Sequence, residues 1–395
     1  MFVKTTTFIL AGGQGQRLHP LTHSIAKPLL PFGGVFRIID FTLSNCRNSG
    51  LNPVYLLTQF DAESVKRYID GGAWKTGFDC LPCPDGDLYK GTADAVIRNK
   101  HLVDRTSPEL ILILCADHVY KMDYRKLLRF HTRNGAAATV AAVEYPIEQS
   151  HAFGVIESDP LGRIIGFEEK PKRPKPMRQR SGKALISMGV YVFSKDALLT
   201  GARECLLKGG SDFGRDLIPE MIQSHRVSAY NFTEHGQDLG TYWRDVGTID
   251  TYHRSQMEVL FMDGLFDLSA SARWPIHTAG PTAFKVIRKD PFVTDSVIAD
   301  DAKTQGASVS RSIVGPGVVL GHNAQVEDSI IMDGAQIGQC AKLKRVIVQP
   351  GGMVDRNARI GFDSFEDSEQ FYVTAGGTAV VSTQYCAERN ELAIA

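Results

Sequence analysis

Nine aliphatic residues in strict register constrain this chain more than any other feature. Val314, Leu320 and Val326 are followed by Ile331, Ile337 and Leu343, then by Val348, Val354 and Ile360. Positions within a triplet lie six residues apart, and each triplet repeats seventeen residues after the last. Glycine and alanine recur between them, as in VVLGHNAQVE and AQIGQCAKLK. An inward aliphatic at every sixth residue specifies a parallel β-helix with three short strands per coil. An α-helix would need a period of 3.6 and a half-buried strand a period of two. An earlier coil through Val297 and Val309 is less regular, because Lys303 falls at the intervening core position. Beyond about residue 367 the register is lost, and the chain to residue 395 is expected to cap the solenoid or pack back on it.

Residues 1–261 obey a different rule. Short β-branched runs at 4–11 (KTTTFILA), 53–60 (PVYLLTQF), 109–117 (ELILILCAD), 137–144 (AATVAAVE) and 189–194 (GVYVFS) read as strands. Helix-like stretches at 93–104 and 123–134 fall between them. That alternation implies βαβ units and a mainly parallel, α/β sheet. Ligands of such sheets bind beyond the carboxyl ends of the strands. Residues 262–290 mix Pro, Gly, Ser and aromatics without period and read as a packed connection. The β-helix domain with its cap is then 291–395.

Charge narrows the function. Forty-four basic residues balance forty-four acidic ones. A general nucleic-acid or membrane-surface binder would need a basic excess, so neither partner is expected and any anion site must be local. No apolar run approaches the roughly 20 residues that span a bilayer. The start, MFVKTTTFILAGG, runs straight into a glycine loop and does not read as a signal peptide. Seven scattered cysteines fit a reducing, cytoplasmic setting. Cys80 and Cys83 form a lone C-x-x-C with no second pair and no nearby histidine, so a plain loop is expected there.

The glycine loop is ILAGGQGQRLHPLT. A dinucleotide fingerprint would need a third glycine where Leu18 stands, and a P-loop would need a terminal G-K-[ST] that is missing. Instead Gly12, Gly13 and Gly15 precede Arg17, with Lys27 ten residues on. Backbone N–H groups freed by glycine can approach a polyphosphate closely. Arginine adds a bidentate fork and lysine a mobile point charge. Asp117 in LCADH and Asp245 in YWRDVGT are the acids that could hold Mg²⁺, which takes one or two carboxylates plus phosphate oxygens. His118 has no partner in the sequence that marks it as a base, and is read as structural.

These motifs, with AKPLLPFGG, FRIIDFTLSNCRNSG, LYKGTADAV, ADHVYKMDY, AFGVIE, FEEKP, SMGVYVF and DFGRDLIP, follow the order seen in bacterial glucose-1-phosphate adenylyltransferases. The chain resembles that family over nearly its whole length. The resemblance implies a Rossmann-like nucleotidyltransferase domain followed by a left-handed parallel β-helix, in a homotetramer. It implies transfer of the adenylyl group of ATP to glucose 1-phosphate for glycogen or other α-glucan synthesis. By the same likeness Gly12, Gly13, Gly15 and Arg17 bind ATP phosphates, Lys27 neutralises them, and Gln59 and the backbone around Gly91 and Thr92 recognise adenine. Asp117 and Asp245 hold Mg²⁺. Gly154, Glu169, Lys170, Ser187, Tyr191 and Asp212 form the sugar-phosphate pocket, and Tyr89 lies near the nucleotide–sugar junction. Arg17, Lys27 and Asp117 form the catalytic set.

The chain also departs from the family. Many members are activated by anionic metabolites and carry basic residues just before the catalytic lysine. Here those places hold Ser24 and Ile25, although Arg37 remains. The CLPCPDGD loop is short and lacks the glutamine-rich stretch of many members. Weak or altered activation is expected. The run KPKRPKPMRQR (170–180) is basic and proline-rich, and reads as a solvated loop or as an effector or partner contact. Two other readings stay open: another sugar-1-phosphate nucleotidyltransferase with a different base or amino sugar, and a non-catalytic regulatory subunit.

Overall fold

A computed structural model describes residues 3–84, 88–235, 240–261, 266, 268, 273–280 and 283–382. Two compact units interleave along the chain. One comprises residues 1–13, 42–116 and 120–243; the other 14–41, 117–119 and 244–395. Residues 14–41, which hold Gly15, Arg17 and Lys27, and Asp117 are grouped with the β-helix.

The first unit is built on a nine-stranded sheet. Thr5–Ala11 lies between Leu110–Cys115 and Val54–Thr58, and Phe78–Pro82 extends the row, all parallel. Lys183–Ser194 joins this parallel part to the rest by antiparallel pairing with Leu110–Cys115, Ala138–Pro146 and Gly154–Ser158. Val227–Asn231 returns parallel to Ala138–Pro146. The central strands are apolar on both faces, as a covered parallel sheet requires. Tyr124–Asn134 forms the expected helix, capped by the Asp123 side chain and ended by Gly135 in the left-handed region. The stretch 93–104, read as one helix, is two: Thr92–Arg98 and Lys100–Thr106. Asn99 breaks it, since its amide donates to Ala95 O (2.8 Å) and to the Tyr89 hydroxyl (3.0 Å).

The second unit contains the coil. Ser308–Ser310, Gln325–Glu327, Lys342–Lys344 and Arg359–Ile360 stack in parallel as one face. Ile313–Val314, Ile330–Ile331, Val346–Val348 and Ala379–Val381 form a second. Val319–Leu320, Gln336–Ile337 and Met353–Val354 form the third. All nine marked aliphatics are buried in one core. The earlier coil is one residue shorter, and pairing sets Ile298, not Val297, against Val314. Lys303 is exposed, and the neighbouring Ala302 packs against the core instead. A ladder of serines runs up one corner: Ser312 N donates to Ser296 Oγ, Ser329 N to Ser312 Oγ and Val346 N to Ser329 Oγ, at 3.0–3.1 Å.

Phe284–Lys289, which composition assigns to the connection, pairs antiparallel with Val293–Ala299, so the coil's sheet starts before residue 291. In the expected cap, Ala379–Val381 continues the parallel sheet and Ser364–Ser368 is helical. Residues 383–395 of that cap lie outside the described residues.

Segment 14–41 is fixed within the second unit by the helix Ile249–Phe261 and the coil. Tyr252 and Gln256 donate to Pro31 O, and Gly33 N donates to Gln256 Oε1 at 2.9 Å. Gln349 Nε2 donates to Pro20 O at 3.0 Å, and Arg37 pairs with Asp333. Val297 and Ile313 on the outside of the coil meet the backbone at Gly34, where a Cβ would come within 2.9 Å of Val297 Cγ1. Gly34 has φ +92°, so both space and conformation require glycine. No helix among the described residues is long and apolar enough to cross a membrane.

Candidate active site

Lys27 is 7% exposed, an unusual place for an ammonium. Its Nζ lies 2.6 Å from Asp117 Oδ2 and 3.5 Å from Asp245 Oδ1. Burial works against its charge, but the two carboxylates outweigh it and hold the lysine above its ordinary pKa. Burial likewise opposes ionisation of Asp117, yet Lys27 first and His118 next hold its carboxyl well below the usual range. His118 Nε2 stands 3.6 Å from Asp117 Oδ1 and 3.9 Å from Asp245 Oδ1. The cluster thus gathers two acids, a lysine and an imidazole. His118, read from the sequence as structural, stands in this cluster; its place immediately after Asp117 was the signal available.

Gly15 prepares this cluster. It has φ +66° and caps a short 3₁₀ turn, Gln16–Leu18. Thr22 Oγ1 donates to its carbonyl at 2.8 Å. A Cβ on Gly15 would come within 3.1 Å of Lys27 Cβ and of Thr22 Cγ2. Arg17, on the turn, is exposed. Gly247 sits beside both Arg17 and Asp245: a Cβ there would lie 3.1 Å from Arg17 Nη2 and from Asp245 Oδ2. Arg17, Lys27, Asp117 and Asp245 are therefore assembled in one unit.

The remaining expected site residues lie in the first unit. Gln59 Nε2 donates to Gly12 O at 2.9 Å, and Tyr89 N donates to Gln59 Oε1 at 2.8 Å. Gln59 thus ties the start of the glycine loop to the LYKGTADAV loop. Gly13 is exposed, and a Cβ there would meet no atom within 4 Å, so its backbone is open to a ligand. The Tyr89 ring is buried in the core and its hydroxyl is held by Asn99. Gly91 packs so closely on Ser211 that a Cβ would fall 2.4 Å from Ser211 O.

The sugar-side residues also gather. Glu169 pairs in register with Gly154 on adjacent strands, and a Cβ on Gly154 would come within 2.9 Å of Glu169 Oε2. Lys170 Nζ is 3.4 Å from Glu169 Oε1 and largely exposed. Ser187 stands at a bulge between Ser187 and Val190, where Gly189 N donates to Ser187 Oγ at 3.2 Å. Bulges of this kind re-aim side chains next to active sites. Ser187 Oγ reaches the Tyr191 hydroxyl at 3.4 Å, and burial pushes that phenol well up. Asp212 has its carboxylate committed: it accepts from Thr92 Oγ1, Gly214 N and Arg215 N.

Part of the basic run pairs with acids of this chain while staying exposed. Lys175 donates to Glu157 at 2.8 Å, Arg178 lies 3.8 Å from the same acid, and Arg180 with Lys183 pairs with buried Glu144. Lys172 and Arg173 are exposed. Cys80 lies on the strand Phe78–Pro82, and neither Cys80 nor Cys83 is in a disulfide.

Lysine, arginine and carboxylates beside a glycine turn manage phosphate charge rather than generate a nucleophile. Together with a nucleotide-type sheet they define the nucleotidyltransferase class, and the nucleotidyl transferase family model matches residues 6–260. A second family model, the GlmU-like C-terminal hexapeptide, matches residues 282–381, in accord with a left-handed coil. Glucose-1-phosphate adenylyltransferase of Methylococcus capsulatus is 38% identical over 98% of this chain and 95% of its own. The enzymes of that name from Albidiferax ferrireducens and Rhodopirellula baltica are 37% and 36% identical, over 96% and 97% of this chain and 95% and 90% of theirs. The chain belongs to the glucose-1-phosphate adenylyltransferase family.

Proposed function

We propose that this chain transfers the adenylyl group of ATP to α-D-glucose 1-phosphate, giving ADP-glucose and pyrophosphate for α-glucan or glycogen synthesis. The observation that carries the reading is Lys27 held between Asp117 and Asp245, in a chain that matches its relatives almost end to end. A phosphate oxygen of glucose 1-phosphate attacks the α-phosphorus of ATP in line, and pyrophosphate leaves from the opposite side. Phosphate oxygen is already ionised, so no general base is required. Charge management and orientation are the tasks that remain. Arg17 and the backbone of Gly12, Gly13 and Gly15 bind the triphosphate, and Lys27 offsets charge on the transferring phosphoryl group. Gln59 and the backbone of Gly91 and Thr92 shape the adenine pocket. Glu169, Lys170, Ser187, Tyr191 and Gly154 hold the sugar phosphate, with Lys170 on the phosphate.

Asp117 and Asp245 suit Mg²⁺. Both are hard oxygen donors, and their two negative charges exceed the single charge of Lys27. When bound, the ion neutralises phosphate charge and orients phosphate oxygens. We also propose a cytoplasmic homotetramer. Six cysteines among the described residues form no disulfide, which fits a reducing compartment. Anionic activators are expected to act weakly, since Ser24 and Ile25 carry no charge and Arg37 is already paired with Asp333.

The test is pyrophosphate release with glucose 1-phosphate against a panel of nucleoside triphosphates, repeated with glucosamine 1-phosphate. ATP with glucose 1-phosphate should exceed every other pair. Preference for another base or for the amino sugar would replace this reading with a sister nucleotidyltransferase, and no turnover would favour a regulatory subunit.

A further inference from the structure

Asp212, expected in the sugar pocket, is also held closely by protein. Its Oδ1 accepts from Gly214 N (2.9 Å) and Arg215 N (3.0 Å), capping the turn Phe213–Leu217. Its Oδ2 accepts from Thr92 Oγ1 at 2.8 Å. Thr92 Oγ1 in turn accepts from Phe213 N at 2.9 Å. Three of the roughly four acceptor positions of a carboxylate are therefore filled by protein. The same hydroxyl donates to one end of the turn and accepts from it.

Around that hydroxyl, loops 89–94 and 211–216 are sewn together. Ser211 O accepts from Ala93 N and Asp94 N at 2.9 and 3.2 Å, and Gly91 leaves no room for a side chain against it. The first loop is tied through Tyr89 N to Gln59, and through Gln59 to Gly12 O. The second loop packs on Glu169: a Cβ at Gly214 would sit 3.1 Å from Glu169 Oε2. Hydrogen bonds and close packing therefore run without a gap from the glycine loop to the acid expected to hold the sugar.

We propose that Thr92 is a positioning residue that couples the two substrate subsites. Nucleotide bound at loop 89–92 fixes the Thr92 hydroxyl. Through Asp212 this sets the turn at 213–215 and the carboxylate of Glu169 for the sugar phosphate. The inference rests on the substrate assignment above. It predicts that ATP tightens glucose 1-phosphate binding, and that this gain depends on one hydroxyl rather than on the backbone that faces adenine.

The test compares wild type with Thr92→Val, which keeps the shape, and Thr92→Ser, which keeps the hydroxyl. KM and kcat are measured for both substrates, and glucose 1-phosphate binding is titrated with and without a non-hydrolysable ATP analogue. Thr92→Val should raise the glucose 1-phosphate KM about tenfold, the scale of one hydrogen bond to a charged acceptor. It should leave the ATP KM within about threefold and abolish the tightening by the analogue. Thr92→Ser should restore all three. Should Thr92→Val fail to fold, Asp212→Asn, which keeps the cap but turns a donor towards Thr92, should give the same selective loss. Unchanged coupling in a folded Thr92→Val or Asp212→Asn protein overturns the inference, as does Thr92→Ser behaving like Thr92→Val. Wild type lacking any tightening by the analogue also overturns it. Wild type that makes no ADP-glucose overturns instead the substrate assignment, and this inference with it.

Discussion

Lys27 Nζ lies 2.6 Å from Asp117 Oδ2, and neither group is where it is for stability alone. A buried ion pair gains little over well-packed apolar residues. This one is held beside a second acid, Asp245, next to a glycine turn carrying an exposed arginine. Lys27→Ala should lower kcat by on the order of 10²–10³, the usual loss when a charge aimed at the transition state is removed. Asp117→Ala should do the same. Pyrophosphate release measures both; near-normal turnover in either variant removes that residue from the catalytic set.

Gly15→Ala tests how Lys27 is placed. The substitution must adopt φ +66° and bring a methyl within 3.1 Å of Lys27 Cβ. A strained left-handed residue costs about 1–2 kcal/mol. Displacement of the lysine should lower kcat by roughly tenfold or more. Thermal denaturation and turnover should therefore fall together, and an alanine variant with wild-type kcat would dissociate the turn from the lysine.

A chain cut after Phe261 should lose activity. Segment 14–41 takes a hydrogen bond from Gln349 and an ion pair from Asp333, both in the coil. Without them Lys27 has a loosened support. The expected result is a folded first unit by circular dichroism with turnover reduced at least on the order of 10². Full activity in the shortened chain would show that the coil does not position the site.

Much of this was legible in the sequence, for physical reasons. The six-residue period reports an inward-facing side chain directly, so Val314 through Ile360 all lie in the core. Val297 misled because its coil is one residue shorter, and its neighbour Ile298 takes the stacked position. Lys27, Asp117 and Asp245 were legible as residue types suited to polyphosphate, but their mutual contact was not, since they are far apart in sequence. Asn99 splits a helix through side-chain hydrogen bonds that composition does not reveal. The commitment of Asp212 to Thr92 was equally hidden, because it depends on a contact 120 residues apart.

His131 predicts an acid limit to stability. The ring is buried between Thr139 (2.8 Å) and Ser194 (3.4 Å), and burial pushes its pKa down to about 4, from the ordinary 6.5. The unfolded chain takes up this proton below about 6.5 while the folded one resists until about 4. Stability from this group is therefore full above 6.5 and declines as pH falls between the two values, by about 3 kcal/mol in all. Melting temperature should drop through that window, and His131→Asn should flatten this part of the profile. An unchanged slope would place the acid sensitivity elsewhere.

The most direct measurement follows the oxygen atoms. Glucose 1-phosphate labelled with ¹⁸O in its non-bridging phosphate oxygens is turned over with unlabelled ATP, and the products are resolved by mass. Attack by the sugar phosphate on the α-phosphorus requires that all the label stay in ADP-glucose and that pyrophosphate carry none. Label in pyrophosphate, or turnover without a labelled sugar nucleotide, would contradict adenylyl transfer at this site.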